Sequence, residues 1–149
     1  MAGERIALVP TMGYLHDGHL SLIERARQEA DRGFVSIFVN PLQFGPREDY
    51  DRYPRALGRD LDLSEAAGAH HAFAPSVDEM YPHGEPWVNV VPVRGADRLC
   101  GASRPGHFAG VLTVVSKLLH MIEPDVAIFG QKDYQQLVLI RRMVQDLDM

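Results

Sequence analysis

Cysteine is almost absent from this chain. Cys100 stands alone among 149 residues, so an internal disulfide and a cysteine-built zinc cage are both excluded. A reducing, cytoplasmic setting is the simple expectation. Long apolar runs are missing as well. The best stretches, Phe34 to Val39 and Val111 to Val115, cover five or six residues, where a membrane helix needs about 20. The opening Met1-Ala2-Gly3-Glu4-Arg5 carries no apolar signal region, and nothing in it points to export. Basic charge is not in excess either. Fifteen Lys and Arg against twenty Asp and Glu leave a formal charge of -5, which argues against a nucleic-acid binder held by net charge. The sequence also has no Ser/His/Asp arrangement, Walker-type phosphate loop, internal repeat or low-complexity tract.

What is present is an ordinary globular composition, 46% apolar and 23% charged. A domain of about 150 residues buries roughly 70% of its unfolded surface, enough for a core without staples. Ile6-Ala7-Leu8-Val9 predicts a strand that stops at Pro10-Thr11-Met12-Gly13, because proline donates nothing to a ladder and glycine permits the turn. Leu20, Ile23, Ala26, Arg27 and Ala30 then recur at helical spacing, with Gly33 expected at the helix end. Phe34 to Val39 reads as a strand covered on both faces. Strand, helix and strand make one right-handed βαβ unit.

The middle of the chain is less regular. Asn40 to Pro46 reads as loop and Arg47 to Arg52 as a solvated charged face. Tyr50, Tyr53 and Leu57 form a weak helical face interrupted by Pro54. A helix is expected over Leu57 to Ala67, a short strand around His71 to Pro75, and an edge strand over Trp87 to Val91. Val111, Val114, Val115, Leu118, Leu119 and Ile122 then form an apolar helical stripe ended by Pro124, with His120 on its outer face. Val126 to Phe129 reads as a buried strand. Gln135 to Asp146 reads as a helix with Leu137, Ile140, Val144 and Leu147 at helical spacing. The whole predicts an α/β fold with a mostly parallel sheet.

Ligands of such sheets bind outside the carboxyl ends of the strands, and three of these ends carry polar residues. They are Pro10 to His19, Asn40 to Gln43, and Gly130 to Gln136. His16 and His19 flank Gly18 where a helix begins, and a helix N-terminus suits phosphate. Imidazoles there donate to phosphate oxygens, and the glycines allow close approach of a nucleotide. Two other readings fit the same spacing: a metal site joined by His70 and His71, or plain capping and solvated residues. Lys132 is suited to neutralising phosphate, and Asp133 to accepting from ribose or capping a helix. Both also fit a solvated helix start.

Pro10-Thr11-Met12-Gly13 leading into His16-Asp17-Gly18-His19 resembles the H-x-G-H signature of the nucleotidylyltransferase superfamily. Four further runs, Phe38 to Phe44, Tyr53-Pro54-Arg55, Gly101 to Phe108 and Phe129 to Gln136, together resemble the pantothenate synthetase family. The resemblance spans essentially the whole chain, and its specificity lies in five motifs in order. It implies a Rossmann-like nucleotidylyltransferase domain over residues 1–149. The implied reaction joins pantoate to β-alanine at the expense of ATP, through a pantoyl adenylate, releasing AMP and pyrophosphate.

Carried over by position, Met12, Gly13, Tyr14, Leu15, His16, Asp17, Gly18 and His19 form the nucleotide-binding turn. His19 is the implied proton donor, His16 its helper on the phosphates, and Lys132 a further phosphate contact. Gly130, Gln131, Lys132 and Asp133 hold ATP, which Mg²⁺ accompanies without a protein cage being implied. Gln43 and Gln136 hydrogen-bond pantoate, Gln43 also lies near β-alanine, and Asn40 supports that pocket. A homodimer is implied, with neither nucleic acid nor membrane as partner. Family members continue beyond the counterpart of Met149, through a second ATP signature and a smaller C-terminal domain, so the chain is expected to be an N-terminal piece. The alternatives are a non-catalytic nucleotide-binding module and a related nucleotidylyltransferase with another substrate.

Overall fold

The computed structural model describes residues 3–46 and 48–149. Its framework is a four-stranded parallel sheet in the order β3-β2-β1-β4, built from β1 (Ile6–Thr11), β2 (Arg32–Ile37), β3 (His71–Phe73) and β4 (Val126–Ala127). Side chains alternate across β1. Ala7 and Val9 join Ile23 and Ala26 of α1 (Asp17–Glu29) on one face, together with Val35 and Ile37 of β2. Leu8 faces the other way, into a cluster with Val111, Val114, Val115 and Leu118 of α5 (His107–Ile122) and Leu139, Ile140 and Met143 of α6 (Tyr134–Asp146). The sheet is therefore sandwiched between helices, and β1 lies near its centre. Each fully buried Val, Leu or Ile side chain in these clusters contributes roughly 1.5–3 kcal/mol.

Several expectations shift on contact with the structure. β1 runs through Pro10 to Thr11, pairing Pro10 with Ser36. Leu8 turns its carbonyl toward β4, where it accepts from the Ile128 amide at 2.8 Å. Two residues on, Pro10 turns its nitrogen the same way, just past the end of that ladder. The missing N–H therefore interrupts nothing. β4 holds two ladder residues in place of the expected Val126 to Phe129. α1 ends at Glu29 with Ala30 as its extended C-cap, and Gly33 lies inside β2 opposite Ala7. Leu147 follows α6 and is exposed.

The expected strand at Trp87 to Val91 is absent. Pro86 and Pro92 flank it, Trp87 is fully exposed, and the segment is anchored by the Val90 amide donating to Thr113 Oγ1 at 3.0 Å. Tyr50 and Tyr53 do not lie on a helix; each meets the Phe44 ring edge-on. The remaining helices are α2 (Leu57–Ala66), α3 (Val77–Met80) and α4 (Cys100–Ser103). Among the described residues no helix is long and apolar enough to cross a membrane.

One contact places the polar loop after β2. A 3-10 turn over Pro41–Gln43 packs directly on α5 at Gly110. A Cβ there would lie 2.3 Å from the Leu42 carbonyl oxygen and 2.6 Å from the Gln43 amide nitrogen. Alanine gains about 1 kcal/mol of helix propensity over glycine, but backbone on both sides leaves the clash no cheap escape. Gly110→Ala should therefore destabilise the fold by about 1–3 kcal/mol net. Urea unfolding of variant and wild type checks this, and an equal or higher midpoint would refute the packing argument.

Candidate functional site

Parallel pairing brings the carboxyl ends of β1, β2 and β4 to one edge of the sheet. The three polar segments, Pro10 to His19, Asn40 to Gln43 and Gly130 to Gln136, lie at or just beyond these ends. The first is the most highly organised. Thr11 Oγ1 donates to the Ser36 carbonyl and accepts from the Gly13 amide at 3.1 Å. Gly13 and Tyr14 both adopt positive φ, +79° and +53°. The left-handed region is routine for glycine but costs a residue with a Cβ roughly 1–2 kcal/mol.

Asp60 of α2 holds this turn in place. Its carboxylate, almost fully buried, accepts from the amides of Tyr14 at 2.7 Å and Leu15 at 2.8 Å. Its neighbour Arg59 donates to the Leu15 carbonyl at 3.0 Å and lies over the Tyr14 ring. Nothing in the sequence pattern marks Asp60, because on an amphipathic helix it reads as one more surface charge. Only the tertiary fold, joining residues 45 or 46 apart, reveals its position.

His16 is the N-cap of α1, an unusual choice beside Ser, Thr, Asp and Asn. Its Nδ1 accepts from the Gly18 amide at 3.1 Å, and His19 Nδ1 accepts from the His16 amide at 3.3 Å. This is a capping box made by two imidazoles. Gly18 is needed for it, since a Cβ would meet the His16 ring at 2.9 Å. Because both Nδ1 atoms accept, each neutral ring carries its proton on Nε2. The rings sit 4.1 Å apart. Burial, first, then the His16 ring and Lys132 hold the pKa of His19 below the ordinary histidine value, with Asp60 opposing them.

The turn thus differs from a bare helix terminus. The amides of Gly13, Tyr14, Leu15, His16, Gly18, His19 and Leu20 are all bonded within the chain. With most of the turn's amides bonded internally, the imidazole Nε2–H groups are the side-chain phosphate donors on offer here. The capping and phosphate readings consequently merge: capping through Nδ1 is what frees Nε2. Met12 leads into the turn, and Asp17 is the first residue of α1.

The second segment is held by a separate network. Asn40 is buried and engaged on both sides of its amide. Its Nδ2 donates to Gln43 Oε1 and to the Gly110 carbonyl, both at 3.1 Å. Its Oδ1 accepts from the Leu42 amide and from the Tyr81 hydroxyl at 2.8 Å. Burial pushes the Tyr81 phenol up to about 12, keeping it a donor. With Oε1 of Gln43 engaged, its Nε2 remains as the outward donor. Asn40 therefore orients Gln43 and has no position left for a substrate.

Glu48, expected on a solvated face, turns inward and pairs with Arg104. It also accepts from the Gly45 amide at 2.6 Å, and that bond and the arginine hold its pKa down. Arg104 Nη1 reaches His107 Nε2 at 3.2 Å, and His107 Nδ1 donates to the Gln43 carbonyl at 2.9 Å. Burial lowers the His107 pKa, which suits a ring that accepts from an arginine. Arg47, in the same charged run, lies outside the described residues.

The third segment is exposed. Gly130, Gln131, Lys132 and Asp133 are open to solvent, and Asp133 sits at the start of α6 without capping it through its side chain. Gln136 is half-buried in the first turn of α6. Its neighbour Gln135 ties down the loop before α4, donating to the carbonyls of Gly95 and Arg98. His70 and His71 stand at the amino end of β3, away from this edge, where His70 accepts from the Gly33 amide and His71 stacks on Phe34. The metal reading that joined them to His16 and His19 is thereby overturned. Among the described residues no three of His, Cys, Asp and Glu gather as a metal cluster.

Known proteins resemble this chain over nearly its whole length. The family model described as pantoate-beta-alanine ligase matches residues 1–149. The pantothenate synthetase of Halorhodospira halophila is 62% identical over 148 residues, covering 99% of this chain and 52% of the relative. That of Stutzerimonas stutzeri is 60% identical, with the same coverage. The crystal structure of the Thermus thermophilus enzyme superposes with a TM-score of 0.94 at 56% identity, covering 97% of this chain and 52% of that one. The Francisella tularensis pantoate-beta-alanine ligase, crystallised with beta-gamma ATP and beta-alanine, gives 0.93 at 45% identity, covering 99% and 56%. The chain thus spans about half the length of the curated relatives it matches. A Rossmann-like parallel sheet, an H-x-G-H turn on its carboxyl edge and a family model matched end to end make this chain a member of the pantoate–β-alanine ligase family.

Proposed function

We propose that this chain supplies the nucleotide and pantoate side of an ATP-dependent ligase that joins pantoate to β-alanine. The carrying observation is the pair of Nε2–H donors, His16 and His19, held on the same sheet edge as Gln43 and under the electrostatic influence of Lys132. The Francisella relative crystallised with a nucleotide and β-alanine supports the choice of ligands. The curated relatives are about twice as long, and the activity is proposed for a polypeptide of that length.

In the first step a pantoate carboxylate oxygen attacks the α-phosphorus of ATP. The bond to pyrophosphate breaks and a pantoyl adenylate forms. Such a transfer needs charge stabilisation and alignment more than covalent help. His19 and His16 donate hydrogen bonds from Nε2–H to the phosphate oxygens as negative charge builds on pyrophosphate, which departs as an anion, so that His19 shares its proton without transferring it. Lys132 adds a mobile point charge, while Gly130, Gln131 and Asp133 line the nucleotide. Gln43, donating through Nε2, and Gln136 orient pantoate. In the second step the β-alanine amine attacks the acyl carbon, losing a proton as the amide forms and AMP departs. Mg²⁺ fits as a companion of the triphosphate, since it keeps waters and phosphate oxygens as ligands. No protein cage for it exists among the described residues. The exposed apolar side chains of Trp87, Val88, Val91, Val93 and Leu99 support pairing of two chains.

A second reading concerns the 149 residues alone: a module that holds ATP weakly and turns nothing over. The open, solvent-exposed wall at Gly130 to Asp133 favours it. Pantothenate formation by the isolated chain would overturn it.

The ligase reading is tested by pantoate-dependent exchange of labelled pyrophosphate into ATP in the full-length protein. His19→Ala should lower that exchange about 10²- to 10³-fold, with circular dichroism and the unfolding midpoint near wild type. Exchange that is unaffected, or that proceeds equally without pantoate, sinks the assignment. The pH profile makes a second check. Protonation of His19 at Nδ1 abolishes the bond from the His16 amide. Burial holds its folded pKa below the ordinary histidine value, so kcat/KM for ATP, which reports the free enzyme, should level off at alkaline pH. It should fall as pH drops through a midpoint below the ordinary histidine value. A midpoint at or above that value would contradict the role given to burial.

A further inference from the structure

Two successive left-handed residues followed by aligned amides make a concavity of the kind that binds anions. In this chain the concavity is already filled. The Asp60 carboxylate occupies it, accepting from Tyr14 and Leu15 at 2.7 and 2.8 Å. The fit is close, since a Cβ on Gly13 would lie 2.9 Å from Asp60 Oδ2 and 3.1 Å from Ile37 Cγ2. Arg59, the preceding residue, holds the next peptide along through the Leu15 carbonyl and lies over the Tyr14 ring at 5.6 Å. Side chains of two consecutive residues on α2 therefore grip two consecutive residues of the turn.

The consequence reaches the imidazoles. Leu15 directly precedes His16, whose extended backbone sets the N-cap of α1. Releasing the Tyr14 and Leu15 amides would allow Tyr14 to relax toward negative φ, swinging the His16 ring off the Gly18 amide. The two Nε2–H groups would then no longer point together. Pantoate contacts through Gln43 depend on a different network, anchored on Asn40, Tyr81 and His107.

We propose that Arg59 and Asp60 are positioning residues that clamp the H-x-G-H turn from α2, so that nucleotide affinity depends on a carboxylate that never touches the nucleotide. This inference rests on the ATP-dependent reading above. It predicts a signature confined to one substrate. Asp60→Asn puts an N–H against a backbone N–H, and losing one charged acceptor should weaken the nucleotide site about tenfold or more. Arg59→Met removes a partly exposed contact and should weaken it about threefold.

The test uses the full-length protein in two arms: MgATP binding by isothermal titration calorimetry, and pantoate-dependent pyrophosphate exchange. The expected result is MgATP affinity reduced by those factors and KM for ATP raised in parallel, with KM for pantoate within twofold of wild type. Folded variants with unchanged MgATP affinity would overturn the proposal. So would equal rises in both KM values, the mark of general loosening. If Asp60→Asn does not fold, Arg59→Met decides alone, since its side chain is half-exposed. Wild-type protein that binds MgATP but shows no pantoate-dependent exchange refutes the ligase reading, and the calorimetric arm alone then judges the clamp. Wild type that binds no MgATP overturns both.

Discussion

Everything functional in this chain depends on β1 having parallel neighbours on both sides. Parallel pairing with β2 and β4 sends three chain segments off the same edge of the sheet. An antiparallel partner on either side would have put one of those segments on the far edge. The pairing is secured from above and below by alternation along six residues, with Ala7 and Val9 buried against α1 and Leu8 against α5. Pro10 fits only because β4 stops short of it. The crevice follows from this arrangement and needs no further device.

At this edge, buried scaffold groups and outward-pointing donors are held apart. The backbone of the H-x-G-H turn is bonded internally, through Thr11, Asp60 and the two Nδ1 atoms, and the Nε2 atoms are left over. Asn40 similarly meets its hydrogen-bonding needs inside the protein and leaves Gln43 Nε2 outward. In both places a buried polar group fixes the orientation of an outward donor. Buried polar groups are costly when left unpaired, so each network also discourages alternative conformations of its loop.

Legibility in the sequence followed the range of the interactions. Periodicity located α1, α5 and α6, because a helix face repeats every few residues, and a short apolar run ended by a turn located β1. The strand expected at Trp87 to Val91 was a miss of the same origin. An apolar run signals burial only if a partner exists, and no sheet edge receives this one. Glu48 looked like one charge in a charged run, yet Arg104, 56 residues away, draws it inward.

The sequence by itself determined the fold class and the positions of the chemistry-bearing groups. Strand–turn–helix order and polar residues after apolar strands are local patterns, and local patterns survive in one dimension. His16, His19, Gln43 and Lys132 were assigned to one edge of the sheet that way. What only the tertiary structure decided was orientation. That Asp60 fills the turn, that Asn40 faces inward, and that His70 and His71 lie away from the site are facts about residues far apart in the chain. Hydrogen-bond partners at such distances are chosen by packing, and no spacing rule encodes them.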